Sequence, residues 1–135
     1  MTLGEMKNEV MFQTNNDAED VGDFMPALTD YVNDGYDRLV FVYAHKHVAT
    51  GSTEFPPLSA DTDVPAVPGW THRYLADWAT WLVYRNGNPQ KQSRGMAYRE
   101  HFLWMLGQIA DQGGIDGLDE DGNPKKYKNF INIPK

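Results

Sequence analysis

The chain has 135 residues, of which 41% are hydrophobic and 13% aromatic, and its length suits one compact domain with a core of its own. It contains no cysteine, which excludes disulfides, cysteine-based zinc sites and thiol catalysis. Nineteen acidic residues against twelve Lys and Arg give a net charge of −7. This balance argues against a dedicated nucleic-acid binder and against docking on an anionic membrane surface. No apolar run approaches the ~18 residues that a membrane span needs.

The first two predicted elements are helices with one apolar face each. Thr2 and Glu5 have capping-box spacing, which predicts a short helix at the N-terminus. A polar stretch then predicts a loop up to Asp23, whose side chain is expected to cap a second helix with Pro26 in its first turn. Because apolar residues recur there at steps of three and four, the second helix is predicted to continue to about His47.

A proline-rich excursion separates the first two helices from the next two. Residues 50–69 contain four prolines and two glycines, which excludes a regular helix. So long a connection usually has a function of its own or folds against a partner, and either an irregular loop or a short hairpin fits its sequence.

The second half of the predicted bundle is a helical hairpin. A third helix is predicted from Trp70 or Thr71 to Asn86-Gly87, and a fourth from Asn88-Pro89 to about Gln112. Since their connection is tight, the two should be antiparallel neighbours. The predicted fold is therefore all-α, a small bundle of about four helices over residues 1–113.

Residues 114–135 are predicted to form an extended C-terminal arm. The segment is first acidic and rich in turn residues, then basic and apolar without helical periodicity. Exposed apolar segments usually dock on a surface, by strand addition to a neighbouring subunit or by folding back over their own domain, and both remain open. The candidate docking residues are Tyr127, Phe130, Ile131 and Ile133.

The third helix carries more large aromatic residues than one helix of a small bundle can bury. Part of the set must be core, and the surplus predicts a contact between subunits, because Trp and Tyr bury ~150–250 Å² each and are enriched at interfaces. A platform for unstacked nucleobases would need more cations beside the rings than Arg73 and Arg85. The subunit-interface candidates are Trp70, Tyr74, Trp78, Trp81 and Tyr84.

No catalytic residue, metal site or cofactor is predicted. The acidic residues around Gly122 lack the first and last ligands of an EF-hand loop. The four histidines do not form the Glu-x-x-His pairs of carboxylate bundles, and we expect them at the surface or at helix caps. Asp61 and Asp63 could form a carboxylate pair, which with a histidine such as His72 leaves a small metal-assisted hydrolase as an alternative.

The order of a short capped helix, a long helix, a proline-rich excursion and an aromatic helical hairpin resembles the head–tail connector (adaptor) proteins of tailed bacteriophages. The similarity is a pattern of helix types and spacing without a catalytic signature, and it covers most of residues 1–112. The segments that carry it are residues 2–6, 28–39, 67–75, 78–84, 88–91 and 98–102.

The resemblance implies a structural virion protein of the phage neck, made in the host cytoplasm. Such subunits assemble as a ring, commonly twelve-fold, beneath the portal protein and continue the DNA channel towards further neck or tail proteins. It implies no enzyme activity, and it makes the arm from about Gly114 the place to expect portal docking. DNA would pass without specific binding, which suits an acidic chain because a phosphate-binding lining would retard sliding. A cytosolic regulatory module that binds a peptide on its Trp-rich face is the remaining alternative.

Overall fold

A computed structural model of the protein describes residues 1–14, 24–47 and 55–111, without the side chains of 44–47 and 111. In these ranges the chain forms four α-helices and no strand, which confirms the all-α prediction. The helices are α1 (Leu3–Thr14), α2 (Leu28–His47), α3 (His72–Arg85) and α4 (Pro89–Asp111), with 3₁₀ helices at Met25–Ala27 and Gly69–Thr71 leading into α2 and α3. None of the described helices combines the length and apolar character needed to cross a membrane.

Local hydrogen bonds account for where α1 and α4 begin. The Thr2 N–H donates to Glu5 Oε1 (2.8 Å) and the Glu5 N–H to Thr2 Oγ1 (3.1 Å), which is the predicted capping box. The bond from the Thr2 backbone lowers the pKa of Glu5. At α4, Asn88 Oδ1 accepts from the Lys91 N–H (3.0 Å), and Pro89 is the first helical residue. The predicted cap Asp23 lies outside the described residues.

Helix α3 is the centre of the bundle. It contacts α1, α2 and α4, and ten of its fourteen residues are buried. The other helices each turn one stripe of apolar side chains towards it, as the three- and four-residue spacing predicted. The fully buried apolar and aromatic side chains include Leu3, Met6, Val10, Leu28, Tyr36, Leu39, Leu75, Tyr84, Phe102, Met105 and Ile109.

Two glycines allow α2 and α4 to approach α3 closely. A Cβ atom on Gly95 of α4 would lie 2.6 Å from the Cβ of Tyr84 and 3.0 Å from the Cε3 of Trp81. On α2, a Cβ on Gly35 would lie 3.1 Å from the Cδ1 of Trp78. The large aromatic residues of α3 are therefore accommodated by missing side chains on both neighbours.

The proline-rich segment, described from residue 55 to 68, is irregular, so the part described contains no hairpin. Side chains of α2 provide the partners for its backbone. Asn33 Nδ2 donates to the Leu58 carbonyl (2.8 Å), and Asn33 Oδ1 accepts from the Leu58 N–H (2.9 Å). The Tyr36 hydroxyl accepts from the Ala66 N–H (2.9 Å).

The same segment covers the N-terminus of α1. The Leu3 N–H donates to the Asp63 carbonyl (2.8 Å) and the Gly4 N–H to the Asp61 carbonyl (2.9 Å). These two N–H groups have no partner within the helix, so the segment satisfies them. The described part of the segment therefore packs against both α1 and α2, which supply hydrogen-bond partners to a backbone without regular secondary structure.

Candidate functional site

The structure divides the five aromatic interface candidates, of which Trp70 lies in the 3₁₀ helix before α3 and the other four lie in α3. Trp78 (6% exposed) and Tyr84 (1% exposed) lie in the core, Tyr74 and Trp81 are half-buried against it, and Trp70 is 45% exposed. Trp78 and Tyr84 are therefore mainly core residues and expose little surface to another subunit, although Trp78 also lines a cavity described below. The reason is the space that Gly35 and Gly95 leave beside them.

Trp70 and Tyr74 belong to a larger surface that also includes Trp104 of α4. The rings of Trp70 and Tyr74 are 6.2 Å apart and nearly perpendicular, and those of Tyr74 and Trp104 are 6.1 Å apart with an interplanar angle of 36°. Trp104 is 56% exposed. We call these three residues the aromatic face.

Trp104 was missing from the sequence prediction, although its signal was present. On α4, Phe102, Met105 and Ile109 are buried at steps of three and four. Position 104 falls outside that stripe by helical phase, so its indole had to face away from the core. Counting the aromatic residues of the third helix alone does not include this indole.

A cavity of about 430 Å³ adjoins the aromatic face. It contains a buried carboxylate, that of Asp77, whose Oδ1 accepts from Gln13 Nε2 (3.1 Å) and whose Oδ2 lies 3.6 Å from His101 Nδ1. Burial raises the pKa of Asp77 against the opposing effects of the Gln13 hydrogen bond and of the charges on His101 and Arg73. We call this cavity the polar notch; its lining residues are Gln13, Arg73, Tyr74, Asp77, Tyr98, His101 and Trp104.

A second cavity, of about 490 Å³, lies between α2 and α4, and we call it the α2–α4 groove. Its walls are mostly apolar, and Phe41 at its edge is 76% exposed. The lining residues are Asp34, Asp37, Arg38, Phe41, Val42, Trp78, Phe102, Leu103 and Leu106.

One carboxylate oxygen organises the polar end of the groove. Asp34 Oδ2 accepts from Arg38 Nε (2.8 Å) and from Trp78 Nε1 (2.7 Å), and the Arg38 guanidinium lies 4.9 Å from the centre of the Trp78 ring. Burial acts to raise the pKa of Asp34, but the hydrogen bonds from Arg38 and Trp78 hold it below its usual value. Asp34 is therefore charged at neutral pH, beside an exposed Asp37.

The acidic residues of the hydrolase alternative are engaged in structural contacts. Asp63 Oδ2 accepts from the N–H groups of Ser59 and Ala60, each at 2.8 Å, and these bonds lower its pKa. The Asp61 carboxylate pairs with Lys7 Nζ at 2.8 Å. Within the described ranges, no three His, Asp or Glu side chains are grouped so that they could hold a metal ion.

The histidine of that alternative, His72, is buried and not at the surface, but it does lie at a helix cap, where the Gly69–Thr71 3₁₀ helix ends and α3 begins. Its Nε2 lies 2.8 Å from the Val67 carbonyl and its Nδ1 lies 2.8 Å from the amino group of Met1. The ring thus joins the proline-rich segment to the start of α3. Burial lowers the pKa of His72, and the positive charge of the Met1 amino group adds to this effect.

The four docking candidates of the arm, Tyr127, Phe130, Ile131 and Ile133, lie outside the described residues, as does the boundary at residue 113. The candidate site in the described part of the chain is therefore the aromatic face with the polar notch, together with the α2–α4 groove. Comparisons of the chain with protein-family models, with curated proteins and with solved structures gave no match.

Proposed function

We propose that this chain is a structural subunit of a tailed-bacteriophage head–tail connector, which assembles as a ring beneath the portal and continues the DNA channel towards the tail. The observation that carries the proposal is the aromatic face. Trp70 and Trp104 expose about half of their surface although the chain has an ample core. Trp and Tyr exposed together beside charged side chains are typical of the central residues of protein interfaces.

The architecture and the charge support the proposal in different ways. The described residues form a small bundle of four α-helices, which is the fold that the resemblance implies. A net charge of −7 suits a subunit that surrounds DNA without holding it, because tight binding requires cations facing the phosphates. The alternative as a hydrolase has no comparable support, since Asp61, Asp63 and His72 each serve a different structural contact.

The partners in this proposal are further copies of the chain, the portal protein and neighbouring neck or tail proteins. Copies would meet through the exposed aromatic residues. The portal would be contacted by the arm of residues 114–135, through its apolar residues Phe130 and Ile131 among others.

Assembly is tested by measuring the mass of the purified chain in solution by light scattering, over a range of concentrations, alone and mixed with portal rings. We expect a closed oligomer of defined size, either alone or on the portal. A chain that remains monomeric at all concentrations and does not bind the portal would contradict the proposal.

Two variants separate the two contacts. Trp70→Ser removes part of the aromatic face and should weaken the contact between copies. A double variant, Phe130→Asp with Ile131→Asp, should leave that contact intact and lose the portal. Phe12→Ser is the control, because Phe12 is exposed on α1 and lines neither cavity.

A further inference from the structure

The aromatic face and the α2–α4 groove lie on roughly opposite sides of α4. Successive residues of an α-helix are rotated by about 100°, which places His101 and Trp104 about half a turn away from Leu103 and Leu106. The polar notch, which shares Tyr74 and Trp104 with the aromatic face, and the groove have no lining residue in common. One copy of the chain can therefore use both surfaces at the same time.

A ring places a specific demand on such surfaces. In a closed ring larger than a dimer, each subunit offers one surface to the preceding copy and a different surface to the following copy. A surface that pairs with itself produces a two-fold dimer and stops there. Two separate surfaces that complement one another are thus what a ring subunit needs.

The two surfaces complement one another in shape and polarity. The groove is a mostly apolar cavity of about 490 Å³, which is within the usual range for a site that encloses a ligand or a large side chain. The aromatic face supplies an exposed indole, that of Trp104. Arg38 at the groove already lies against one indole and offers a cation to a second one.

The charges at the edges are also opposite. Asp34 and Asp37 stand at the polar end of the groove, whereas Arg73 is an exposed cation at the edge of the polar notch. When Trp104 of one copy enters the groove of another, Arg73 can approach the carboxylate of Asp37. Opposite charges at the rim of an interface select the partner and its register.

We propose that copies of this chain assemble head to tail, with the aromatic face of one copy packed into the α2–α4 groove of the next. This inference depends on the proposed function only for the existence of an assembly. It adds which two surfaces form the contact and identifies Trp104 and Phe41 as its central residues.

The test uses two single variants of the full chain, Phe41→Asp in the groove and Trp104→Asp on the aromatic face. Each should weaken self-association about thirtyfold or more, as removal of a central interface residue does. Mixed in equal amounts, the two variants retain one intact junction, between the groove of the Trp104→Asp chain and the aromatic face of the Phe41→Asp chain. The mixture should therefore form dimers, and nothing larger, by light scattering.

Phe12→Asp is the matched control, because Phe12 and Phe41 are almost equally exposed (78% and 76%) and only Phe41 lies at the groove. This control should assemble like the unmodified chain. Circular dichroism of all three variants verifies that the helices are retained.

Cysteine cross-linking provides a second measurement, since the chain has no cysteine of its own. A mixture of Asp37→Cys and Arg73→Cys chains, which keep Phe41 and Trp104, should give the mixed dimer with a short bismaleimide, and neither variant alone should cross-link efficiently. An unmodified chain that assembles while the mixed variants stay monomeric, or a Trp104→Asp chain that still dimerises, would overturn the pairing alone. A strictly monomeric unmodified chain, with and without the portal, would overturn both the pairing and the proposed function.

Discussion

The α3–α4 hairpin and the proline-rich segment are neighbours in the chain, but they are held in place by different forces. The hairpin depends on close packing, with Trp78 and Phe102 rings 4.7 Å apart and with Gly95 admitting Tyr84. The segment has few buried apolar anchors, chiefly Leu58 and Val67. Hydrogen bonds from α2 and α1 to its backbone provide the rest of its attachment. One region should therefore be sensitive to added volume and the other to lost polar groups.

The largest effect is expected from adding one methyl group to the hairpin. In Gly95→Ala the new Cβ would lie 2.6 Å from the Cβ of Tyr84, which is fixed to the backbone of α3, so the two helices must separate. Overpacking of this kind should lower the free energy of unfolding by about 3 kcal/mol, measured by urea denaturation.

Gly107→Ala is the control for this change, because it makes the same substitution on the same helix with no atom within 4 Å of the new Cβ. Alanine is a better helix former than glycine, so this variant should be more stable by about 0.5–1 kcal/mol. If Gly95→Ala were also stabilising, the close approach of α3 and α4 would be wrong.

The second effect tests the segment by removing polarity at nearly constant volume. Asn33→Leu leaves both the N–H and the carbonyl of Leu58 without their partner, which should reduce stability by about 2 kcal/mol. Asn33→Asp keeps the acceptor for the N–H and should lose less. In Asn33→Leu, the rate of proteolytic cleavage between residues 55 and 68 should increase more than the rate of cleavage at sites elsewhere in the chain.

Asn8→Leu, on the exposed side of α1, controls for the change of residue type and should have little effect. Equal stabilities of Asn33→Leu and the unmodified chain would show that the segment does not depend on these hydrogen bonds.

The smallest effect concerns His72, where the two regions meet. Its pKa is lowered in the folded state, so the unfolded chain binds a proton at a higher pH than the folded chain does. Stability should therefore fall as the pH drops below about 6.5, the ordinary value for histidine. In His72→Gln, which retains an N–H to donate to Val67, the decrease between pH 7.5 and 5 should be smaller. Identical slopes for the two proteins would contradict this role of the buried ring.

Local signals allowed most of the helices to be predicted from the sequence. The capping box of Thr2 and Glu5 and the Asn88-Pro89 pair act within one turn, and apolar spacing fixed which side of each helix is buried. Pro26 lies in a 3₁₀ turn, and α2 begins two residues later, at Leu28. The α-helix therefore begins after Pro26, whereas the prediction placed Pro26 in its first turn. The difference is only a few residues, because proline restricts only its own turn.

The course of the proline-rich segment could not be predicted, because its partners are distant in sequence. Leu58 binds Asn33 and Ala66 binds Tyr36, residues 25 and 30 positions away. The division of the aromatic residues was equally hidden. Burial of Tyr84 requires a glycine at position 95 of the opposite helix, and one helix's own periodicity does not contain that information.

The unequal burial of the tryptophans has a spectroscopic consequence. The Trp78 indole is buried and hydrogen-bonded to Asp34, while those of Trp70 and Trp104 face water. Covering the aromatic face would move the emission of these two indoles to shorter wavelength and protect them from acrylamide quenching. The unlabelled protein thus contains a fluorescent reporter of its own assembly.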